Sequence, residues 1–110
     1  KTLPKWFENM CGAMREKENF CAGSQRLTEL SGRSREYISR SMKKYLGITP
    51  TEFVNDLRLN YAASQIVNTD KNITDICLEA GFYSISWFNK MFLKKYSISP
   101  KEFRKKGKEL

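Results

Sequence analysis

The sequence predicts an all-α fold in which the same arrangement of helices occurs twice, joined by one long helix. Long runs of alternating β-branched residues, which are typical of strands, are absent, and helix breakers recur at regular intervals. The strongest observation is an internal repeat at an offset of about fifty residues, a period typical of duplicated units. The repeated segments are Thr49-Pro50-Thr51-Glu52-Phe53 and Ser99-Pro100-Lys101-Glu102-Phe103. We therefore expect about seven helices in two related units.

Three helices are predicted for the first unit. Apolar residues at spacings near three and four predict a helix over about 4–17, and these residues are Trp6, Phe7, Met10 and Met14. A short helix is expected around 26–30, with Gly32 after it. Ser34 is a favoured N-cap residue, and it predicts a longer helix over 34–46.

A long connecting helix and a second copy of the unit follow. The capping box that begins at Thr49 has proline at the first helical position, and it predicts a helix over about 50–68. A short helix over about 73–80 and a longer one over 84–96 repeat the first unit. A second capping box, at Ser99, opens a last short helix.

Each unit is therefore a short helix, a tight turn and a longer helix. This is a helix-turn-helix, similar to the three-helix units of homeodomains. We expect one region over 1–110, divided into a first subdomain over 1–48, a linker helix over 49–69 and a second subdomain over 70–110.

The chain is strongly basic. Lysine and arginine number 20 against 12 acidic residues, which gives a net charge of +8 and an isoelectric point near 9.5. An excess of this size in a small domain favours a polyanionic partner, because phosphate contacts release counterions. On charge alone, a basic surface that is merely solvated explains the composition equally well.

The composition disfavours several kinds of site. The chain has no histidine, and Cys11, Cys21 and Cys77 lack the close pairing of a zinc site, so we expect no metal and no other cofactor. Three widely spaced cysteines suit a reducing cytoplasm better than a disulfide scaffold. No apolar run approaches the length of a membrane span, and no signal peptide is visible. Because the chain begins at Lys1 without an initiator methionine, we expect it to be part of a longer protein.

The helix over 34–46 has the two-faced pattern of a helix that lies in the major groove of DNA. Ile38, Met42 and Tyr45 share the stripe expected to face the core, and the opposite face is polar and mostly basic. Arginine can pair with guanine, a carboxylate accepts from cytosine, and serine contacts several bases. The base-edge candidates are Glu36, Ser39 and Arg40, and the phosphate candidates are Ser34, Arg35, Lys43 and Lys44.

The helix over 84–96 repeats this scheme with different chemistry. The residues expected to face its core are Phe88, Met91, Phe92 and Tyr96. Asn89 suits adenine, Lys90 suits guanine or phosphate, and an exposed Ile85 suits a thymine methyl group. The base-edge candidates are Ile85, Ser86, Asn89 and Lys90, and the phosphate candidates are Ser84 and Lys94. Trp87 is expected to pack partly within the domain.

Other functions are weighed against DNA binding. An enzyme is not expected, because the acidic residues are spread along helices and no pocket-forming loop is evident. A helical module that binds an acidic protein or an anionic membrane would explain the charge but not the duplicated turns. RNA binding would need exposed stacking aromatics, whereas most aromatics are expected in the core. Arg104, Lys105 and Lys106 could touch phosphates, although solubility explains them equally well.

Several motifs resemble the signature of the AraC/XylS family of bacterial regulators. In the second unit they are Gly81-Phe82-Tyr83-Ser84-Ile85-Ser86-Trp87-Phe88-Asn89-Lys90-Met91-Phe92, Lys94-Lys95-Tyr96 and Ser99-Pro100-Lys101-Glu102-Phe103-Arg104. The first unit agrees through Ser39-Arg40, Lys43-Lys44, Gly47 and the Thr49-Pro50 cap. The resemblance spans 27–104 and is closest to the branch that regulates chitobiose or cellobiose use, through Arg33-Ser34-Arg35-Glu36-Tyr37 and Asn60-Tyr61-Ala62-Ala63.

The resemblance implies a transcription regulator that acts on double-stranded DNA in the bacterial cytoplasm, at the nucleoid. Its two recognition helices would enter successive major grooves, about 34 Å apart, on one face of bent DNA. Family positions that contact DNA match Glu36, Ser39 and Arg40, and Ile85, Ser86, Asn89 and Lys90. Full-length members usually carry a separate effector-binding or dimerising domain, so the isolated domain is expected to be monomeric. A contact with RNA polymerase is compatible with the family.

The sequence departs from the family pattern in two places. Ser97 stands where the family commonly has glycine, so we expect strain or a different cap at the end of the second recognition helix. Ile85 and Leu93 make that helix less polar than the first. It is therefore expected to read the shape and phosphates of DNA more than its base sequence.

Overall fold

The computed structural model describes residues 2–109, and within this range it contains eight α-helices and no strand. The predicted all-α class is therefore confirmed, with one helix more than expected. The helices are α1 (Lys5–Ala13), α2 (Lys17–Ala22), α3 (Gln25–Ser31), α4 (Arg35–Leu46), α5 (Pro50–Asn68), α6 (Ile73–Glu79), α7 (Ile85–Tyr96) and α8 (Pro100–Glu109). The chain divides into two compact units, and the boundary between them along the sequence falls inside α5, between Leu57 and Arg58. They are called unit 1 and unit 2 below.

The first helix is shorter than predicted, because an unpredicted helix, α2, follows it. The prediction of one helix over 4–17 is wrong: α1 ends at Ala13, and a turn separates it from α2. The reason is a side chain that takes a backbone acceptor. The buried Asn19 donates from Nδ2 to the carbonyl oxygen of Ala13 at 2.7 Å, and this oxygen would accept from the amide of Lys17 in a continuing helix.

Unit 1 is built around an apolar core to which α1, α2, α3, α4 and the start of α5 contribute. Its buried apolar residues are Phe7, Met10, Met14, Phe20, Leu27, Ile38, Met42 and Val54. A polar connection supplements this core, since Arg26 donates from Nη1 to Oδ1 of Asn19 at 3.0 Å and pairs with Glu29 at 2.8 Å. Asn19 thus joins the end of α1 to the side of α3.

Unit 2 has a single buried cluster beneath α7. Its members are Leu59, Ala62, Ala63, Ile66, Ile76, Cys77, Ala80, Phe82, Phe88 and Phe92. The ring centroids of Phe88 and Phe92 lie 5.7 Å apart, and those of Phe92 and Phe103 lie 5.3 Å apart. Such offset and edge contacts are favourable for aromatic pairs, so they fix α7 and α8 onto the cluster.

The helix-turn-helix turn is fastened in both units by a cation over a ring, with the two roles exchanged. In unit 1 the turn supplies Arg33, whose Cζ lies 4.1 Å from the ring centroid of Trp6 in α1. In unit 2 the turn supplies the ring of Phe82, and Arg58 of α5 provides the cation at 5.8 Å. The same kind of attraction therefore holds the turn of unit 1 against α1 and the turn of unit 2 against α5.

The predicted start signals form the expected hydrogen bonds. Ser34 and Ser84 cap α4 and α7, each accepting from a backbone amide at 3.1 Å. At the start of α5 the capping box is reciprocal: the amide of Glu52 donates to Oγ1 of Thr49, and the amide of Thr49 donates to Oε1 of Glu52. These bonds satisfy amides that have no partner within the helix.

The two recognition helices end in the same backbone conformation but with different residues. Gly47 follows α4 with φ of +74°, and Ser97 follows α7 with φ of +69°. Among the residues that the structure describes, Ser97 is the single non-glycine with positive φ. The left-handed conformation brings Cβ close to the following carbonyl oxygen, so the serine is strained where glycine is not. The strain expected at this departure from the family pattern is therefore present.

Replacing Ser97 by glycine is expected to stabilise the protein. The left-handed strain is relieved, and the greater chain entropy of unfolded glycine offsets part of the gain, so Ser97→Gly should raise the free energy of unfolding by about 0.5–1 kcal/mol. Urea unfolding measures this difference. The matched variant Gly47→Ser should lower the free energy of unfolding, and a neutral or destabilising Ser97→Gly would contradict the argument.

The C-terminal helix fastens the end of α5 within unit 2. Arg104 donates from Nε to the carbonyl oxygen of Ile66 at 2.8 Å and from Nη2 to that of Thr69 at 3.1 Å. Nearby, Lys108 donates to Asp70 at 3.0 Å, and this hydrogen bond lowers the pKa of the Asp70 carboxyl. The approach is close, because a Cβ at Gly107 would lie only 3.0 Å from a methyl group of Val67. Arg104 therefore serves the fold, and the suggestion that it touches phosphate is not supported.

Removing the Arg104 guanidinium should destabilise unit 2. Arg104→Ala leaves two partly buried carbonyl oxygens without their charged donor, so we expect a loss of about 2 kcal/mol in the free energy of unfolding. Arg104→Lys should recover little of it, because an ammonium cannot replace the planar fork of donors. Thermal or urea unfolding measures the effect. Lys105→Ala, which changes an exposed neighbour, is the control, and equal stability of both alanine variants would refute the role.

Candidate nucleic-acid interface

All the site residues predicted in the first recognition helix lie on the outer surface of unit 1. The inner stripe of α4 is closed, since Ile38, Ser41 and Met42 are buried. Tyr45 of the predicted core stripe is half-buried, with its ring 5.2 Å from that of Phe7. The exposed side chains are Ser34, Arg35, Glu36, Ser39, Arg40, Lys43 and Lys44. The helix thus presents one polar and predominantly basic face, with Lys43 and Lys44 in its last turn.

A groove of about 500 Å³ runs beside this face in unit 1. Arg35 and Ser39 of α4 line it, together with polar residues that were not predicted to contact DNA. These additional residues are Ser24, Gln25, Thr28, Thr49 and Thr51. They lie at the starts of α3 and α5, where hydroxyl and amide groups are common as caps. Only their position next to α4 makes them candidates for DNA contact, and this position could not be predicted from the sequence alone.

The second recognition helix presents most of its predicted residues as well. The exposed candidates on α7 are Ser84, Ser86, Asn89, Lys90 and Lys94. The inner stripe is closed by Phe88 and Phe92, which are fully buried, while Met91 and Tyr96 are partly buried against the same core. Its outer face is therefore also polar, with Lys94 and Lys95 in the last turn.

Ile85 differs from the other candidates on α7. It is only partly exposed and packs against the core of unit 2, so the exposure predicted for it is present only in part. Its position in the first turn places it at the margin between the core and the outer face. Leu93 and Trp87 are more open, at 52% and 51% exposure, so Trp87 packs only in part within the domain, as expected.

Within residues 2–109, no three side chains of cysteine, aspartate or glutamate come together as a metal site would require. Burial raises the pKa of Cys11 to about 11 despite the nearby Arg15, and burial also raises the pKa of Cys77. Both thiols are therefore protonated at neutral pH, whereas a nucleophilic cysteine needs a lowered pKa.

No helix among the described residues is long and apolar enough to cross a lipid bilayer. The outer faces of α4 and α7 share several features. Each is polar, each ends in a pair of lysines, and each lies opposite a closed apolar stripe. A helix with these features fits the width of the DNA major groove.

Comparison with known proteins agrees with this geometry. A family model described as a helix-turn-helix domain matches residues 27–106. The regulator MtrA of Neisseria gonorrhoeae is 35% identical over 74 residues, which are 67% of this chain and 25% of that protein. The activator RhaS of Mannheimia succiniciproducens is 40% identical over 67 residues, 61% of this chain and 25% of that protein. The chain thus spans about a quarter of the length of these two relatives.

A solved structure covers nearly the whole chain. It is a transcriptional regulator of Chromobacterium violaceum with an AraC-type DNA-binding domain, and it is 28% identical with a TM-score of 0.83. The superposition covers 93% of this chain and 91% of that one. The C-terminal domain of AraT from Geobacillus stearothermophilus, at 22% identity and a TM-score of 0.82, shares the fold. From the matching model, the relatives and the architecture together, the chain belongs to the family of AraC-type helix-turn-helix DNA-binding domains.

Proposed function

We propose that this chain binds double-stranded DNA in a sequence-specific manner and so regulates transcription of neighbouring genes. The observation that carries the proposal is the duplicated presentation of a basic recognition helix over a closed core. A single exposed lysine pair would indicate only a solvated face, but two capped helices that each carry a lysine pair on the outer face fit the arrangement that helix-turn-helix proteins use. The net charge of +8 supports a polyanionic partner.

In this proposal α4 reads base edges and grips phosphates with different residues. Arg40 would pair with guanine, Glu36 would accept from cytosine, and Ser39 would contact a neighbouring base. The phosphate contacts would come from Ser34, Arg35, Lys43 and Lys44. The groove that Arg35 and Ser39 share with Thr28 and Thr51 supports a sugar–phosphate strand lying alongside α4, because hydroxyl and guanidinium donors suit phosphate oxygens.

The second helix, α7, would contribute a smaller and less polar reading surface. Asn89 would contact adenine, Lys90 would contact guanine or phosphate, and Ser86 would contact a further base. Ser84 and Lys94 would meet phosphates. The partial burial of Ile85 leaves only part of its side chain for a thymine methyl group, which is consistent with a readout through shape and phosphate in this half.

The wider roles of the parent protein are part of the same proposal. We infer that α4 and α7 enter successive major grooves, and that the parent acts at the bacterial nucleoid under the control of an effector. Control of sugar-utilisation genes, including those for chitobiose or cellobiose, rests on the sequence resemblance alone. A contact with RNA polymerase and a monomeric state of the isolated domain also stay predictions.

The first experiment is a titration of the chain against promoter DNA of its neighbouring genes at two salt concentrations, with a scrambled duplex as control. We expect preferential binding to a site of about two helical turns, near 20 base pairs, because two recognition helices act together. Equal and steeply salt-dependent binding to both duplexes would contradict sequence-specific recognition. It would indicate a basic helical module that binds polyanions in general.

Substitutions on the outer faces separate base reading from phosphate contact. Arg40→Ala and Lys90→Ala should each weaken binding to the preferred duplex by about 1–3 kcal/mol and relax base preference. Lys43→Ala should weaken binding to preferred and scrambled duplexes alike, and reduce the slope of log K against log salt by about 0.9. Fluorescence anisotropy measures both effects. Normal affinity and unchanged selectivity in Arg40→Ala and Lys90→Ala would contradict the assigned base-reading faces, but would not contradict the fold.

A further inference from the structure

Four side chains of unit 1 form a stack beside α4 in which two rings lie between two cations, in the order Arg33, Trp6, Tyr37 and Arg40. The Cζ atom of Arg33 lies 4.1 Å from the ring centroid of Trp6. The rings of Trp6 and Tyr37 are 5.6 Å apart, with an angle of 30° between their planes. At the other end, Cζ of Arg40 lies 6.0 Å from the ring centroid of Tyr37.

One end of the stack is fixed to the fold. Arg33 lies in the turn between α3 and α4, and its Nη1 donates to the carbonyl oxygen of Ser31 at 3.1 Å. Trp6 belongs to α1, and its ring meets the buried ring of Phe7 edge-on at a centroid separation of 5.6 Å. Helices outside the recognition helix therefore determine where the first two members of the stack lie.

The other end reaches the surface that is proposed to read DNA. Tyr37 is 43% exposed, so its ring connects the fixed part of the stack to the outer face of α4. Arg40 is exposed on that face, one helical turn beyond Tyr37. A free arginine samples many rotamers, and a guanidinium resting on a ring has lost part of this freedom before DNA arrives. Less freedom is then lost on binding.

We propose that Tyr37, supported by Trp6, is a positioning residue for the Arg40 guanidinium. The proposal rests on the proposed DNA-binding function and extends it: base discrimination in unit 1 depends on a ring that need not touch a base. The same spacing of ring and cation occurs in unit 2, where the half-exposed Trp87 precedes Lys90 by three residues.

The test uses the whole chain and a duplex enriched from a randomised pool by the wild-type chain. Each guanine of the duplex is replaced in turn by 7-deazaguanine, which removes the N7 acceptor that a bidentate arginine needs. The guanine read by Arg40 is the one whose replacement weakens binding by the wild-type chain but has no further effect on Arg40→Ala. This cycle isolates one contact from the phosphate contacts.

Two variants at position 37, Tyr37→Phe and Tyr37→Leu, are then compared with the wild type. Tyr37→Leu keeps an apolar side chain with good helix propensity but has no ring, so the 7-deazaguanine penalty at that guanine should shrink by about 2- to 5-fold. Tyr37→Phe keeps the ring and should behave as wild type. Binding to scrambled duplex and the thermal midpoint, which a general loss of folding would move, should stay unchanged in both.

The outcomes distinguish the positioning role from the function on which it rests. A full penalty in Tyr37→Leu would overturn the role of Tyr37 while leaving DNA recognition in place. Equal losses in Tyr37→Phe and Tyr37→Leu would also overturn it, since they indicate a contact made by the hydroxyl group. The absence of any guanine whose penalty depends on Arg40 would do the same. A pool from which the wild-type chain enriches no sequence would overturn the proposed function itself, and the role of Tyr37 with it.

Discussion

The burial of one stripe on each recognition helix is the constraint on which the rest of the structure depends. Small domains bury a smaller fraction of their unfolded surface than large ones do, so each apolar contact counts. Ile38 and Met42 close the inner side of α4, and Phe88 and Phe92 close that of α7. With the apolar side buried in this way, the outer side of each helix can carry polar and charged side chains.

In both units, a side chain from a later helix donates a hydrogen bond to a backbone carbonyl oxygen at the end of an earlier helix. Asn19 takes the carbonyl oxygen at the end of α1, and Arg104 takes carbonyl oxygens at the end of α5. In both places the backbone acceptors that end a helix have no partner inside it. A polar side chain fills that need and at the same time directs the chain into its next helix. Helix ends are thus used as attachment points in both units.

Much of the fold follows from local signals, which explains why it could be predicted from sequence. Caps such as Ser34 and the box at Thr49 act within a few residues, and the repeat reports the duplication directly. The break after Ala13 could not be found in this way, because it depends on a contact made by Asn19 after folding. Arg104 looked like a solvated tail residue for the same reason.

The candidate site shows the same division between local and distant information. The exposure of Arg40, Asn89 and Lys90 follows from the helical period, which places them opposite buried residues. The partial burial of Ile85 does not follow from the helical period, because the period does not distinguish the margin of a core from the open surface. The neighbours of Tyr37 were also out of reach, since Trp6 lies far away along the chain. Which of these residues touch DNA stays a prediction.

The exchanged cation and ring roles at the two turns have a consequence for folding. Duplicated units in one chain can pair segments from the wrong copies, and such misassembly is a characteristic failure of repeat proteins. Here a mispaired turn would bring Arg33 against Arg58, two like charges, or Phe82 against Trp6 without a cation. Neither combination reproduces the native attraction. The reversed pairs therefore favour the native pairing of each turn with the helix of its own unit, although both units have the same helix-turn-helix arrangement.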